Sequence, residues 1–235
     1  MRSVPRIPLI EDLTTGSIPR GSTLLVEFDP VSQWYNASLT IAAGWLRQEG
    51  ALVYHAYAQS PDDIRLKLTR MGVDPLALEK NEKLQIWDWY TCQLGRKSKE
   101  KFAIGSLKVA DLSIQFARDY MHRSLSEILQ ISDSTSAIGR FNDEKQWVEY
   151  VLTRIVPATK SNQSVLVRGL MKGVHTDWVY KQHEGSHHGV IDFKLEEEGK
   201  ATRDLIRIRT MQDVGFDREW HELKISDNFE VTLAS

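Results

Sequence analysis

Five short apolar runs, alternating with longer helical patterns, constrain the fold of this chain more than any other feature. "STLLVEF" (22–28), "ALVYHAY" (51–57), "KLQIWDW" (83–89), "EILQISD" (127–133) and "SVLVRGL" (164–170) are short, largely apolar and often bounded by turn residues. Runs of this kind read as strands buried on both faces, the usual state of a parallel sheet. Helical patterns lie between them at 32–48, 61–70, 106–123 and 143–158. The second opens on Ser60-Pro61-Asp62-Asp63: a capping hydroxyl, a proline at the first helical position, then acids in the first turn. Capping accounts for the Asp62-Asp63 pair better than an acid–base role does. Strand–helix alternation predicts βαβ units and a mainly parallel sheet.

The C-terminal third has a different pattern. "GVIDFKLEEEGKATRDLIRIRTM" reads as two strands around a Glu-Gly turn, and "EWHELKISDNFEVTL" as two more around Asp227-Asn228. Both predict antiparallel hairpins added to the sheet edge. No repeat or low-complexity tract divides the chain, so residues 1–235 are expected to form one α/β domain. With 41% apolar and 26% charged residues, an ordinary packed core is expected. A net charge of −2 gives no electrostatic footprint for nucleic acid. The basic stretch "LGRKSKEKF" (94–102) reads as a mobile surface loop. A single cysteine, Cys92, excludes an internal disulfide and points to a reducing cytoplasm. No apolar run reaches the roughly 18 residues of a membrane span, and the first residues lack the pattern of a secretion signal.

The stretch "VEFDPVSQWYNASL" follows the first predicted strand, where open α/β sheets bind ligands. Its surroundings resemble the RecA superfamily, specifically the KaiC-like ATPases common in archaea. "LIEDLTTGSIPRGSTLLVE" is similar to the turn and strand that lead into that family's phosphate loop. "SPDDIRLKLTRMGVDPLALEKNEKLQIWDWYT" is similar to its next helix, "G-x-D" turn and strand. "ISDSTSAI" resembles its Walker B strand end, and the two C-terminal hairpins resemble its own. The resemblance covers nearly the whole chain. It implies a RecA-like, mainly parallel twisted sheet flanked by helices, with antiparallel hairpins at the C-terminus.

The same resemblance implies that the functional positions have been lost. A phosphate loop of the form "G-D-P-G-S-G-K-T" needs glycines for close backbone approach, a lysine for charge and a hydroxyl for magnesium. Phe28, Asp29, Pro30, Val31, Ser32, Gln33, Trp34 and Tyr35 stand at those eight places. Asp29, Pro30 and Ser32 match; the glycines, the lysine and the magnesium hydroxyl do not. The family's water-activating acid pair falls on Ala58 and Gln59, neither of which accepts a proton at neutral pH. Its trans-acting "K-M-R" falls on Thr210-Met211-Gln212. The Walker B aspartate remains as Asp133, a weak magnesium ligand by itself. With the glycines gone, the turn is expected to be tighter, or the helix to start early near Pro30 with Asp29 as its cap. Phe28, Trp34 and Tyr35 are expected to fill the vacated volume.

His175, His183, His187 and His188 form the best metal candidate, but no H-x-x-x-H spacing with a helical period is read there and no cysteine lies near. By resemblance the segment is a surface loop near a subunit contact, so a pH-sensitive interface is preferred to a metal site. The function expected is that of a pseudo-ATPase with no cofactor. It would associate with itself or with an active KaiC-like or RecA-type ATPase as a regulatory or scaffolding subunit in signalling. Two alternatives stand beside it: a residual ATP binder or sensor, and a RadA-type paralogue touching DNA through Arg96, Lys97, Lys99 and Lys101.

Overall fold

The computed structural model describes residues 5–119, 128–199 and 201–234. All five predicted strands form: Thr23–Phe28 (β1), Ala51–Ala56 (β2), Leu84–Asp88 (β3), Ile128–Ser132 (β5) and Val165–Met171 (β6). A two-residue strand at Phe102–Ala103 (β4) extends the edge beyond β3. The hairpins are Gly189–Glu198 (β7) with Ala201–Met211 (β8), and His221–Ile225 (β9) with Val231–Leu233 (β10). Residue 127 of the predicted fourth run lies outside the described residues, as do 120–123 of the predicted third helix.

The ten strands form one sheet in the order β10-β9-β8-β7-β1-β6-β5-β2-β3-β4. Strands β1 to β7 run parallel to their neighbours, and the ladders from β7 to β10 are antiparallel. β1 is fully buried along its length, as its unbroken apolar run requires. β1 and β2 are consecutive in sequence, yet β6 and β5 lie between them. The crossover puts a topological switch point at the carboxyl ends of β1, β6 and β5, where such sheets leave a crevice.

Helices Trp34–Arg47 (α1), Pro61–Arg70 (α2) and Pro75–Lys80 (α3) follow in order, with Tyr90–Gln93 (α4) as a single turn after β3. α2 starts as its sequence dictates: Ser60 Oγ accepts from the Asp63 amide and Pro61 opens the first turn. Asp74 and Pro75 start α3 in the same way, a helix not read from the sequence. The residues of α1 and α2 join the larger core on one face of the sheet. On the other face lie Val109–Asp119 (α5), Ser136–Arg140 (α6), Glu144–Tyr150 (α7), Val156–Ser161 (α8) and Asp177–Ser186 (α9). α7 runs into α8 through a π turn at Val151–Ile155, so the predicted helix at 143–158 is one element with a local widening. Asp143 caps it by accepting from the amides of Lys145 and Gln146.

An ion cluster ties the hairpin to the parallel sheet. Asp192 on β7, 1% exposed, pairs with Arg207, Arg209 and Lys172, and Arg209 also reaches Glu27 on β1 and Glu184 on α9. These cations hold the Asp192 carboxyl below its ordinary range despite its burial.

Candidate functional site

The turn after β1 is narrow. The Asp29 carbonyl accepts from the Ser32 amide at 2.9 Å and from Ser32 Oγ at 2.8 Å, closing residues 29–32 on themselves. The early helix start expected near Pro30 is absent. α1 begins at Trp34, with Gln33 in the capping place and no side-chain cap. Asp29 does not cap it. Its carbonyl is spent within the turn, its amide donates to the Phe193 carbonyl, and its carboxylate lies 4.0 Å from Lys172 Nζ. The Asp204 carboxyl, from β8, faces Gln33 instead. Pro30 and Val31 are exposed at the tip of the turn.

Trp34 closes the crevice from below. Its side chain is fully buried, and its indole Nε1 donates to the Asp133 carbonyl at 2.6 Å. The ring lies 5.4 Å from Phe193 and 6.1 Å from Phe28 between centroids, and Phe28 meets Tyr35 edge-on at 5.3 Å. Gly169 on β6 makes the room: a Cβ there would sit 2.5 Å from the indole nitrogen and 2.4 Å from the Asp133 carbonyl. The three aromatics pack together, and Trp34 belongs to the core rather than to a pocket wall. Trp45, on the same helix, is also a core residue and donates to the Ala51 carbonyl.

Asp133 follows β5 and is fully buried. Its Oδ1 accepts from the amides of Tyr57 (2.7 Å) and Ala58 (3.1 Å), and Oδ2 accepts from Ala58 (3.2 Å). Burial pushes its carboxyl up to about 7, against the opposing pull of these amides. The carboxylate thus staples the chain leaving β2 to the end of β5. Ala58 offers only a methyl group, and the Gln59 amide oxygen accepts from Lys67 Nζ at 2.6 Å. Tyr35, whose phenol burial raises to about 12, lines a depression of about 110 Å³ with Tyr57, Ala58, Ser134 and Arg140. Small-molecule pockets usually enclose about 300–1,000 Å³. Thr210 and Gln212 are exposed at the far end of β8, away from this depression.

No protein-family model matches the chain, and no curated protein matches its sequence. Among solved structures, the chain is similar to a KaiC-like protein from the hyperthermophilic archaeon Pyrococcus horikoshii OT3, with a TM-score of 0.73. The match covers 100% of this chain and 99% of that one, at 16% sequence identity. The fold is KaiC-like.

Within this KaiC-like fold the histidine tract is not a surface loop. Residues 177–186 form α9, and His183 within it and His187 just after its end are both buried. The tract was misread because "DWVYKQHEGSHH" has few strong helix formers and a glycine before its end. His183 and His187 are four residues apart, a helical ligand spacing. Their ring nitrogens converge on a guanidinium: Arg168 Nη1 lies 3.4 Å from His183 Nδ1 and 3.4 Å from His187 Nε2. The other two histidines lie elsewhere. His175 Nδ1 is 3.3 Å from Glu144, and His188 Nδ1 accepts from the Thr23 amide at 3.1 Å. Among the described residues no group of three or more metal-ligating side chains forms, and no helix is long and apolar enough to cross a membrane. The basic residues Arg96, Lys97, Lys99 and Lys101 are exposed on the loop before β4.

Sequence reasoning passed over Arg168 itself. The signal was present as a charge inside the apolar run "SVLVRGL", which a doubly buried strand tolerates only for a reason.

Proposed function

We propose that this chain is a KaiC-like protein with a degenerate phosphate loop, which does not hydrolyse nucleotide and acts through association. It takes the part of a regulatory or scaffolding subunit, joined to itself or to an active KaiC-like or RecA-type ATPase, in a signalling role. The observation that carries this reading is the Trp34 indole, buried on Gly169 and bonded to Asp133 where the family's lysine would extend toward phosphate. ATP with magnesium, implied by the fold family, does not fit these residues. The turn is closed on itself, the cation of the loop is absent, and the Asp133 oxygens are occupied by backbone amides. Phosphoryl transfer depends on positioning and electrostatic stabilisation, and the glycines, the lysine, the magnesium hydroxyl and the acid pair that would supply most of both are substituted, with Asp133 remaining. Two experiments test the reading. Magnesium-dependent phosphate release by the purified chain is expected at background; release above background that Asp133→Asn abolishes would overturn it. Affinity purification from native extract is expected to bring down this chain or an ATPase with an intact phosphate loop, and recovery of neither counts against association.

A further inference from the structure

Arg168 is the fourth residue of β6 and points into the core under α5, α7 and α9. It is 2% exposed. A buried guanidinium is costly unless a carboxylate neutralises it. Among the described residues Arg168 has no carboxylate partner. Its contacts are Thr135 Oγ1, which accepts at 3.1 Å, and the two imidazoles. The His187 ring spends its Nδ1 proton on the His183 carbonyl at 2.7 Å, which leaves Nε2 as a lone pair facing Arg168. All three contacts are neutral acceptors, so the guanidinium is partly hydrogen-bonded but not neutralised. Burial brings its pKa down to about 10, which keeps it charged at neutral pH.

Arg168 lines a cavity of about 70 Å³. Among the described residues the rest of the wall supplies neutral polar groups and apolar surface but no acid. Tyr57 and Tyr150 also line the cavity, and both phenols lie within the field of Arg168. His55 accepts the Trp89 indole proton at Nδ1 (3.1 Å) and turns Nε2 toward Gln130 Oε1 (3.4 Å), which makes it a neutral ring. Leu112 and Ile155 close the cavity with hydrocarbon. Water would satisfy these donors but would not balance the charge. A guanidinium has five N–H donors in a planar fork that matches a carboxylate.

We propose that this cavity is a binding site for a small organic carboxylate. Arg168 holds the carboxylate, Tyr57 and Tyr150 donate to it, and the aromatic and aliphatic wall takes a short apolar tail. The volume sets the size: an engineered cavity of about 150 Å³ admits benzene, so one of about half that volume takes a two- to four-carbon acid. The site lies on the opposite face of the sheet from Trp34, and the assignment does not depend on whether nucleotide is hydrolysed.

Titration calorimetry and thermal unfolding of the full chain with propionate, against propionamide, nitrate and chloride at matched ionic strength, test the proposal. Propionate is expected to bind saturably and raise the unfolding midpoint, with propionamide at least about tenfold weaker, the range for loss of hydrogen bonds to a charged group. Nitrate and chloride are expected to give no saturable shift. Tyr150→Phe, which keeps the ring, is expected to weaken propionate by roughly 2–10-fold and leave propionamide unchanged. Ile155→Trp, at a half-buried position, is expected to fill the cavity and abolish binding while the circular dichroism stays native. Equal binding of propionamide, an equal effect of chloride or nitrate, or no saturable effect of propionate would each overturn the assignment. So would propionate binding unaltered in both variants.

Discussion

Acid should loosen this protein well above the range in which carboxylates protonate, and the cause is the set of imidazoles buried in the fold. His55 and His187 are held neutral by burial, with pKa values brought down from 6.5 to about 4 and about 3, and His183 is also pushed well below 6.5. For His183 and His187 the charge of Arg168 adds to the effect of burial. Folded values below the unfolded value mean that the unfolded chain takes up protons which the fold refuses, so stability falls as the pH drops through 6.5. Between about pH 7.5 and 5.5 His55 and His187 each cost a little over about 1 kcal/mol, about 3 kcal/mol together, and His183 adds to the loss in the same direction. Asp133 acts in the opposite direction. Its folded pKa of about 7 lies above the ordinary 3.8, so the fold protonates first and regains about 2 kcal/mol over the same interval. The expected net loss is at least about 1 kcal/mol, a measurable part of the roughly 5–15 kcal/mol that holds a domain together. Urea denaturation at a series of pH values measures it directly. His187→Gln should flatten the curve by about 1 kcal/mol across the interval. A protein as stable at pH 5.5 as at 7.5, or a His187→Gln variant with the unaltered slope, would refute the reasoning.

Trp34→Gly should destabilise the domain by about 3–5 kcal/mol, the usual range for emptying an aromatic site, and should not create nucleotide binding; urea midpoints and ATP titration check both. Restoring the loop alone (Phe28→Gly, Val31→Gly, Gln33→Gly, Trp34→Lys, Tyr35→Thr) should yield no multiple turnover, because Ala58 and Gln59 still lack a base; steady phosphate release from that variant would show the base misassigned. Binding of DNA should be weak, independent of sequence and steeply reduced by salt, since a short basic loop is the surface available to it; tight, salt-resistant binding in a filter assay would favour the paralogue reading.

The sheet was legible because its five central strands are apolar on both faces and bounded by turn residues. The two hairpins were legible because Glu-Gly and Asp-Asn turns mark them. The reading failed where distant contacts outweigh local signals. Residues 177–186 have weak helical propensity, and α9 forms because Val179 and His183 are buried against the second core. Asp29 looked like a cap from its position, yet the turn that suits Pro30 and Ser32 turns its carboxylate toward Lys172. That Trp34 would lie on Gly169 and bond to Asp133, residues 135 and 99 positions further on, is a tertiary fact with no local signature. The cavity at Arg168 escaped for the same reason, since its walls come from β2, β3, β5, β6, α5 and the π turn.

The seat of Trp34 also constrains where this sequence can go next. A lysine there would leave its ammonium fully enclosed beside Phe28 and Phe193, with a backbone carbonyl for company, a burial that costs several kcal/mol. Opening the turn with glycines first would withdraw the packing that holds the ring in place. Either first step lowers stability before any phosphate contact repays it. The residue that closes the crevice is also a keystone of the core, so mutational routes toward a phosphate-binding turn begin uphill, and neutral drift leads away from one.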